Sequence, residues 1–389
     1  MKRFMCLVLA FLAMAAPLAF SSEESEVYRQ IYKDAGSLQQ KYSAVLSLVG
    51  LGDRSVAPIL SEALDDLLLR QSSYSSGTDK EIYADMVKVL CRALGDYKYD
   101  DAASSLWAVV QQLRDPLARA EALISLGKIH AVDYVERVAI MLRDLDIAPG
   151  PDRLADEQVA YGCILALEKF RDVRGFMPVF YATDAWYTQR VRDQAERSLA
   201  NIAADPTDPI MELIRKESAA RKLLALKYNA SSKAPVERKI EAALLALDVA
   251  ESAGPRDKPE AKALSEVRKL ALRSLIAFRS TRAEGVPLAV FAYSNGLDDE
   301  ERLLALQSLG VSATDAAATA LRDIILRLDA DQKAGITDDT RNRMAKAAIE
   351  NGALTKNHIL WAALMAVSSN EKWSGGILLA AQTALKEIP

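Results

Sequence analysis

The apolar positions of residues 115–144 follow the period of an α-helix twice. In each half they stand at positions i, i+3, i+4 and i+7, first as Ala120, Leu123, Ile124 and Gly127, then as Val135, Val138, Ala139 and Leu142. This pattern predicts two amphipathic helices joined by a short turn near His130. Asp115 is placed to cap the first helix, and Pro116 suits its first turn. One hairpin leaves both apolar stripes uncovered, so neighbouring copies must bury them.

The same spacing recurs in four other segments, each predicted to be the second helix of a hairpin. These segments carry Val56, Ile59, Leu60 and Ala63; Ala103, Leu106, Trp107 and Val110; Val173, Phe176, Met177 and Phe180; and Ala317, Ala320, Leu321 and Ile324. The rest of residues 189–388 is predicted to be helical but less regular, with loops at 229–235 and 252–259 and three short helices after residue 340. No useful stretch alternates with a period of two, so the predicted fold is all-α without a sheet.

Residues 1–21 are predicted to be a secretory signal peptide. Lys2 and Arg3 form a basic start, the segment Phe4 to Leu18 is apolar, and a polar run begins at Ser21. A retained membrane anchor is the alternative, but the apolar run is shorter than the roughly 20 residues that span a bilayer. We therefore expect an exported protein, periplasmic or secreted, whose mature chain starts near residues 21–23 and keeps no integral membrane span.

Charge limits the classes of partner. The chain has 49 Lys and Arg residues against 53 Asp and Glu residues. Removal of Lys2 and Arg3 leaves 47 against 53, a net charge of −6. Because phosphate binding needs a basic surface, this balance argues against nucleic acid as the main partner. Residues 22–389 are expected to form one repeat array with a bend around 229–260.

The hairpins resemble HEAT-type repeats of the armadillo-like superfamily. The resemblance is carried by Ala122-Leu123-Ile124-Ser125-Leu126-Gly127 and by Ala305-Leu306-Gln307-Ser308-Leu309-Gly310, each followed by an apolar stripe. It implies a right-handed α-solenoid of stacked antiparallel helix pairs, whose second helices line a concave face. The superfamily has a phycobilin-lyase-like branch that includes enzymes, but no catalytic motif is present to carry over.

The residues that usually carry chemistry are sparse. His130 and His358 are the only histidines, and neither has Cys or acidic residues at zinc-like spacing. Asp329 to Lys333 begins like a calcium loop but has lysine at the fifth position, so we interpret it as a helix-capping turn. Asp298 to Glu301 is interpreted as the acidic first turn of a helix. We expect no catalytic residue, no metal and no cofactor.

An aromatic group near residue 180 is a candidate partner site. Phe176 and Phe180 belong to an apolar stripe, which leaves Tyr181, Trp186 and Tyr187 beside a loop. Exposed aromatic residues there would suit a binding hot spot. The alternative, which we favour, is that they fill the junction between two repeats.

A second candidate surface consists of charged residues off the apolar stripes of the second helices. In the implied solenoid these residues form one mixed-charge row along the concave face: Glu62, Asp65, Arg114, Glu136, Arg143 and Arg322. The expected function is therefore an exported scaffold or adaptor that binds a protein or peptide along that face. Two alternatives remain open. One is an enzyme accessory or small-molecule-binding protein of the lyase-type branch, and the other is a self-assembling structural component of the envelope.

Overall fold

A computed structural model describes residues 23–388, and the predicted signal peptide lies outside this range. The described residues form an all-helical fold with no strand among them, as the sequence predicted. Residues 23–388 contain twenty α-helices, which follow one another in chain order. They are α1 (Glu23–Asp34), α2 (Leu38–Gly50), α3 (Ala57–Leu69), α4 (Gly77–Asp96), α5 (Ala103–Gln112), α6 (Pro116–Lys128), α7 (Val135–Ile147), α8 (Arg153–Phe170), α9 (Phe176–Ala182), α10 (Gln189–Leu199), α11 (Thr207–Lys216), α12 (Ala219–Ser231), α13 (Val236–Ser252), α14 (Lys258–Ala277), α15 (Gly285–Asn295), α16 (Asp299–Ser312), α17 (Asp315–Lys333), α18 (Asp339–Leu354), α19 (Trp361–Ser368) and α20 (Gly375–Glu387).

The hairpin of α6 and α7 shows how local sequence sets the helix ends. The side chain of Asp115 accepts a hydrogen bond from the backbone N–H of Ala118 at 2.6 Å, and Pro116 occupies the first turn. Helix α6 ends at Lys128, and His130, two residues later, is in the left-handed conformation with φ of 58°. A single 3-10 turn, Val132–Tyr134, then leads into α7. The predicted cap and first turn of α6 are confirmed.

Burial along this hairpin follows the predicted stripe on α7 and exceeds it on α6. The four predicted positions of α7 are all buried, and Leu123 on α6 is fully buried. Ile124, however, is only half-buried, whereas Ala122 and Leu126 are fully buried. The reason is that α4, α5 and α8 all pack against α6, so more than one of its sides is covered. A single apolar stripe therefore underestimates the buried surface of this helix.

Two glycines allow α6 and α8 to cross closely. A Cβ atom on Gly162 would lie 2.7 Å from the Cα atom of Ala120, and one on Gly127 would lie 2.9 Å from the Cα atom of Ala166. Both distances are shorter than real Cβ contacts, so the two backbones touch at these points. The glycine that ends the Leu-Gly motif is thus a packing residue between neighbouring hairpins.

The predicted loop 229–235 is wrong at its first three positions. Residues 229–231 form the last turn of α12, which ends at Ser231. Asn229 is fully buried, and its side-chain amide donates a hydrogen bond to the carbonyl oxygen of Lys239 at 3.0 Å. This contact between α12 and the next helix keeps the segment helical, although its composition is typical of a loop.

The predicted capping turn at Asp329–Lys333 is also wrong, because α17 continues through it. Asp329 is nearly fully buried and accepts hydrogen bonds from the Nδ2 atom of Asn370 at 2.8 Å and from the Nε1 atom of Trp373 at 2.9 Å. Lys333, one turn later, pairs with the same carboxylate at 2.7 Å. The acidic residue therefore anchors the segment that precedes α20. By contrast, the predicted acidic first turn at residues 298–301 is confirmed, since Asp298 caps α16.

The described residues divide into two compact units. The N-terminal unit comprises residues 23–203 and helices α1 to α10, and the C-terminal unit comprises residues 204–388 and helices α11 to α20. Within each unit the main contacts join helices that are one or two places apart in the chain. The segment 229–260, where a bend was expected, lies inside the C-terminal unit. Among residues 23–388, no helix is both long and apolar enough to cross a membrane.

Candidate functional site

The charged candidates at the start of the N-terminal unit are tied to neighbouring helices. Glu62 on α3 is exposed and pairs with Arg29 on α1 at 2.9 Å. Asp65, also on α3, accepts a hydrogen bond from the hydroxyl of Ser105 on α5 at 2.5 Å. Both carboxylates therefore bridge adjacent helices as well as facing solvent.

The remaining charged candidates are more loosely placed. Arg114 lies in the loop after α5 and is exposed, and Glu136 is exposed in the first turn of α7. Arg143, also on α7, pairs with Asp144 at 3.0 Å. Arg322, on α17 of the C-terminal unit, is half-buried and pairs with Asp323 at 2.7 Å. Because exposed pairs of this kind contribute at most about 1 kcal/mol, these side chains remain available to a partner.

The aromatic candidates lie against the end of α7. The indole Nε1 atom of Trp186 donates a hydrogen bond to the carbonyl oxygen of Leu145 at 2.8 Å. The guanidinium of Arg153 lies 5.1 Å from the centre of the Trp186 ring. Tyr187 is buried, whereas Tyr181 and Trp186 are half-buried. The structure thus places this group mainly in the junction between α7, α8 and the segment before α10.

Beneath this group lies a buried carboxyl group, Asp146. The hydroxyl of Tyr187 donates a hydrogen bond to its Oδ1 atom at 2.9 Å, while its Oδ2 atom is buried without a hydrogen-bond partner. Burial raises the pKa of Asp146 to about 7, the hydrogen bond from Tyr187 opposes that rise, and the nearby Asp184 adds to it. The carboxyl group therefore changes protonation near neutral pH inside the folded N-terminal unit.

We predict that Asp146 makes the protein less stable as the pH rises. The folded protein holds this proton up to about pH 7, whereas the pKa of an ordinary aspartate is 3.8. Protonation of Asp146 thus stabilises the folded state. This stabilisation is fully present below the pKa of an ordinary aspartate, and it is lost as the pH rises through the pKa of Asp146 in the folded protein. The urea midpoint of the wild type should fall more between pH 5 and pH 8 than that of Asp146→Asn. Asp144→Asn, an exposed carboxylate two residues away, is the control and should keep the wild-type slope. Identical slopes for all three proteins would contradict the prediction.

Four exposed apolar side chains that the sequence reasoning missed lie on three neighbouring helices of the C-terminal unit. Phe291 on α15, Leu326 on α17, and Trp361 and Met365 on α19 keep 42%, 40%, 45% and 38% of their surface exposed. We call these four residues the apolar helix surface. Helix α17 contacts both α15 and α19, so the three helices are neighbours. The sequence signal that could have indicated these exposed residues was the spacing of Trp361 and Met365, which are one helical turn apart.

His358 lies beside this surface. Its ring stacks on the indole of Trp361, with ring centres 6.4 Å apart and planes inclined by 6°. His130, the other histidine, lies at the end of α6 in the N-terminal unit. Throughout residues 23–388, no group of three or more His, Cys, Asp or Glu side chains is arranged to hold a metal ion.

No family model and no curated protein matches the chain. Solved structures that are similar to it at low identity include the following three. An engineered protein is 15% identical, with a TM-score of 0.36 over 94% of this chain and 98% of that one. Human deoxyhypusine hydroxylase in complex with glycerol is 18% identical, with a TM-score of 0.27 over 85% of this chain and 96% of that one. A circular tandem repeat protein is 13% identical, with a TM-score of 0.23 over 94% and 93%. One of the three is an enzyme.

Proposed function

We propose that this protein is an exported scaffold that binds a protein or peptide partner through the exposed sides of its second helices. The proposal takes the fold to be a right-handed α-solenoid of HEAT type. The observation that carries it is the apolar helix surface, because three neighbouring helices each expose at least one large apolar side chain.

The composition of this surface supports recognition of another macromolecule. Binding energy at protein interfaces is concentrated in a few aromatic and large apolar residues that become buried on contact. Trp361 and Met365 provide such residues on one turn, and Phe291 and Leu326 extend the contact area. The exposed Asp323 and Arg327 on α17 supply a polar margin. Burial of neighbouring apolar groups that are exposed to water is favourable in free energy.

Export is also part of the proposal, and the cysteines agree with it. The buried thiols Cys91 and Cys163 are compatible with an oxidising compartment, because burial raises the pKa of both thiols and keeps them unreactive.

The binding proposal can be tested with a pair of matched double variants. We expect Trp361→Ser with Met365→Ser to weaken partner binding by about 30-fold or more, since truncation of interface anchors costs about 2 kcal/mol or more. Leu297→Ser with Leu354→Ser makes the same kind of change at exposed positions outside the second helices and is the control. The partner is first identified by in-cell crosslinking and mass spectrometry, and its affinity for each purified variant is then measured.

Circular dichroism should show unchanged helix content in both variants. If both double variants bind the identified partner as tightly as the wild type, the apolar helix surface is not the binding site. Terminal sequencing of the cellular protein tests export separately: a chain that still starts at Met1 would contradict it.

A further inference from the structure

Three successive turns of the N-terminal unit carry basic residues in a backbone conformation that favours glycine. Lys98 follows α4, His130 follows α6 and Arg171 follows α8, with φ of 52°, 58° and 54°. The corresponding turn after α2 has Gly52 with φ of 66°. Because a Cβ atom makes the left-handed conformation unfavourable, glycine would suit these turns better.

The three turns open onto one groove, which we call the turn groove. It has a volume of about 710 Å³ and is lined by residues from the ends of α4, α6 and α8 together with Asn201. Its basic side chains are Lys98, Lys128, His130, Lys169 and Arg171. The groove therefore spans three successive hairpins along one edge of the unit.

The positive charge in the turn groove is only partly neutralised by acidic side chains that line it. Lys128 pairs with Asp96 at 2.7 Å. The other lining carboxylate, Glu168, accepts a hydrogen bond from the hydroxyl of Ser198 at 2.8 Å. Within residues 23–203, Lys98, Lys169 and Arg171 form no ion pair with an acidic side chain. Such an excess of cations is unexpected in a chain whose formal net charge is −4.

The backbone around the turn groove disfavours a compact dianion. The N–H of Lys98 already donates to the carbonyl oxygen of Gly95, and that of His130 to the carbonyl oxygen of Gly127, both at 3.1 Å. The helix ends here are C-terminal, so their dipoles present partial negative charge. A phosphate group prefers free N–H groups and a helix N-terminus. A ligand that carries separate single negative charges, each of which meets a lysine or arginine, fits the groove better than a phosphate group does.

The spacing of the turns fits an extended peptide. Neighbouring packed helices lie roughly 8–10 Å apart, and three residues of an extended chain cover about 10 Å. We propose that the turn groove binds an extended acidic segment of a partner protein, with one carboxylate at Lys98 after α4 and another, about six residues further along the segment, at Lys169 and Arg171 at the end of α8. The proposal does not depend on the apolar helix surface, which lies in the other unit.

The test is a binding measurement with the full chain and a synthetic probe. The probe is a fluorescent ten-residue peptide with Glu at every third position and Ser elsewhere, and the comparison peptide has Gln in place of Glu. Fluorescence anisotropy at low salt should show binding of the Glu peptide alone. Lys98→Gln with Lys169→Gln should weaken it about tenfold. Lys33→Gln with Lys80→Gln removes the same charge from exposed positions outside the groove and should leave the affinity within about twofold of the wild type.

A second pair of variants separates binding from folding. Arg171→Gly should weaken binding of the Glu peptide while raising the urea midpoint, because glycine adopts the left-handed conformation without strain. Ala313→Gly relieves the same conformation in the C-terminal unit, with φ of 50°, and should raise the midpoint without affecting binding. Equal affinity for the two peptides, equal losses in the two lysine variants, or displacement of the probe by micromolar inorganic phosphate would each overturn the proposal.

Discussion

Replacing Glu301 with glutamine is expected to destabilise the C-terminal unit by about 3–5 kcal/mol, because it leaves a largely buried guanidinium without its counter-charge. Glu301 is fully buried in the first turn of α16. Its carboxylate accepts hydrogen bonds from the hydroxyl of Ser265 at 2.6 Å and from the backbone N–H of Leu297 at 3.1 Å. Arg268 on α14, whose side chain is 13% exposed, pairs with the same carboxylate.

Urea denaturation of the full chain, followed by circular dichroism, measures this effect. Glu300→Gln is the matched control, because Glu300 precedes Glu301 and its side chain is 56% exposed beside Lys269 and Arg273. Loss of an exposed pair should cost about 1 kcal/mol or less. If the two variants have the same midpoint, the ion pair between α14 and α16 does not hold the unit together.

Gly162→Ala is expected to destabilise the N-terminal unit by about 1–3 kcal/mol, although alanine is the better helix former. The added Cβ atom would meet the backbone of Ala120, which cannot rotate away as a side chain could. Helices α6 and α8 would have to move apart, and that movement would loosen the core on both sides of α6.

Gly50→Ala is the matched control for this substitution. Gly50 is the last residue of α2, and a Cβ atom there would have no atom within 4 Å. The same change should therefore stabilise the protein, by up to about 1 kcal/mol. Opposite shifts of the two urea midpoints are expected, and shifts of the same sign would contradict the close crossing of α6 and α8.

The parts of the fold that depend on nearby residues could be predicted from the sequence. The cap at Asp115, the turn at His130 and the buried positions of α7 all follow from residues within one or two helical turns. Burial on α6 was less predictable, because α4 and α8 cover it and come from elsewhere in the chain. The sequence wrongly predicted a loop at Asn229 and a capping turn at Asp329 for the same reason. Asp329, for example, is held by Asn370 and Trp373, which follow it by 41 and 44 residues.

The candidate sites also divide into features that the sequence could predict and features that depend on distant residues. The sequence identified charged residues off the apolar stripes, and the structure leaves most of them exposed. It did not reveal the turn groove, because Lys98, His130 and Arg171 line one groove only when α4, α6 and α8 pack side by side. A local signal does exist: Lys98 and His130 each stand three residues after a packing glycine, Gly95 and Gly127. That spacing places a left-handed turn, but the sequence alone does not show that successive turns converge.

The neighbour-to-neighbour packing of the helices has a consequence for how the chain acquires its structure. Helix α6 makes its main contacts with α4, α5 and α8, all of them close to it in the chain. Such a fold has a low contact order, so little loop-closure entropy is lost before each new helix is stabilised. Helices can therefore dock as they emerge during synthesis, without waiting for the C-terminus. A ribosome-bound chain that is long enough for residue 203 to have left the exit tunnel should already protect its N-terminal unit from proteolysis.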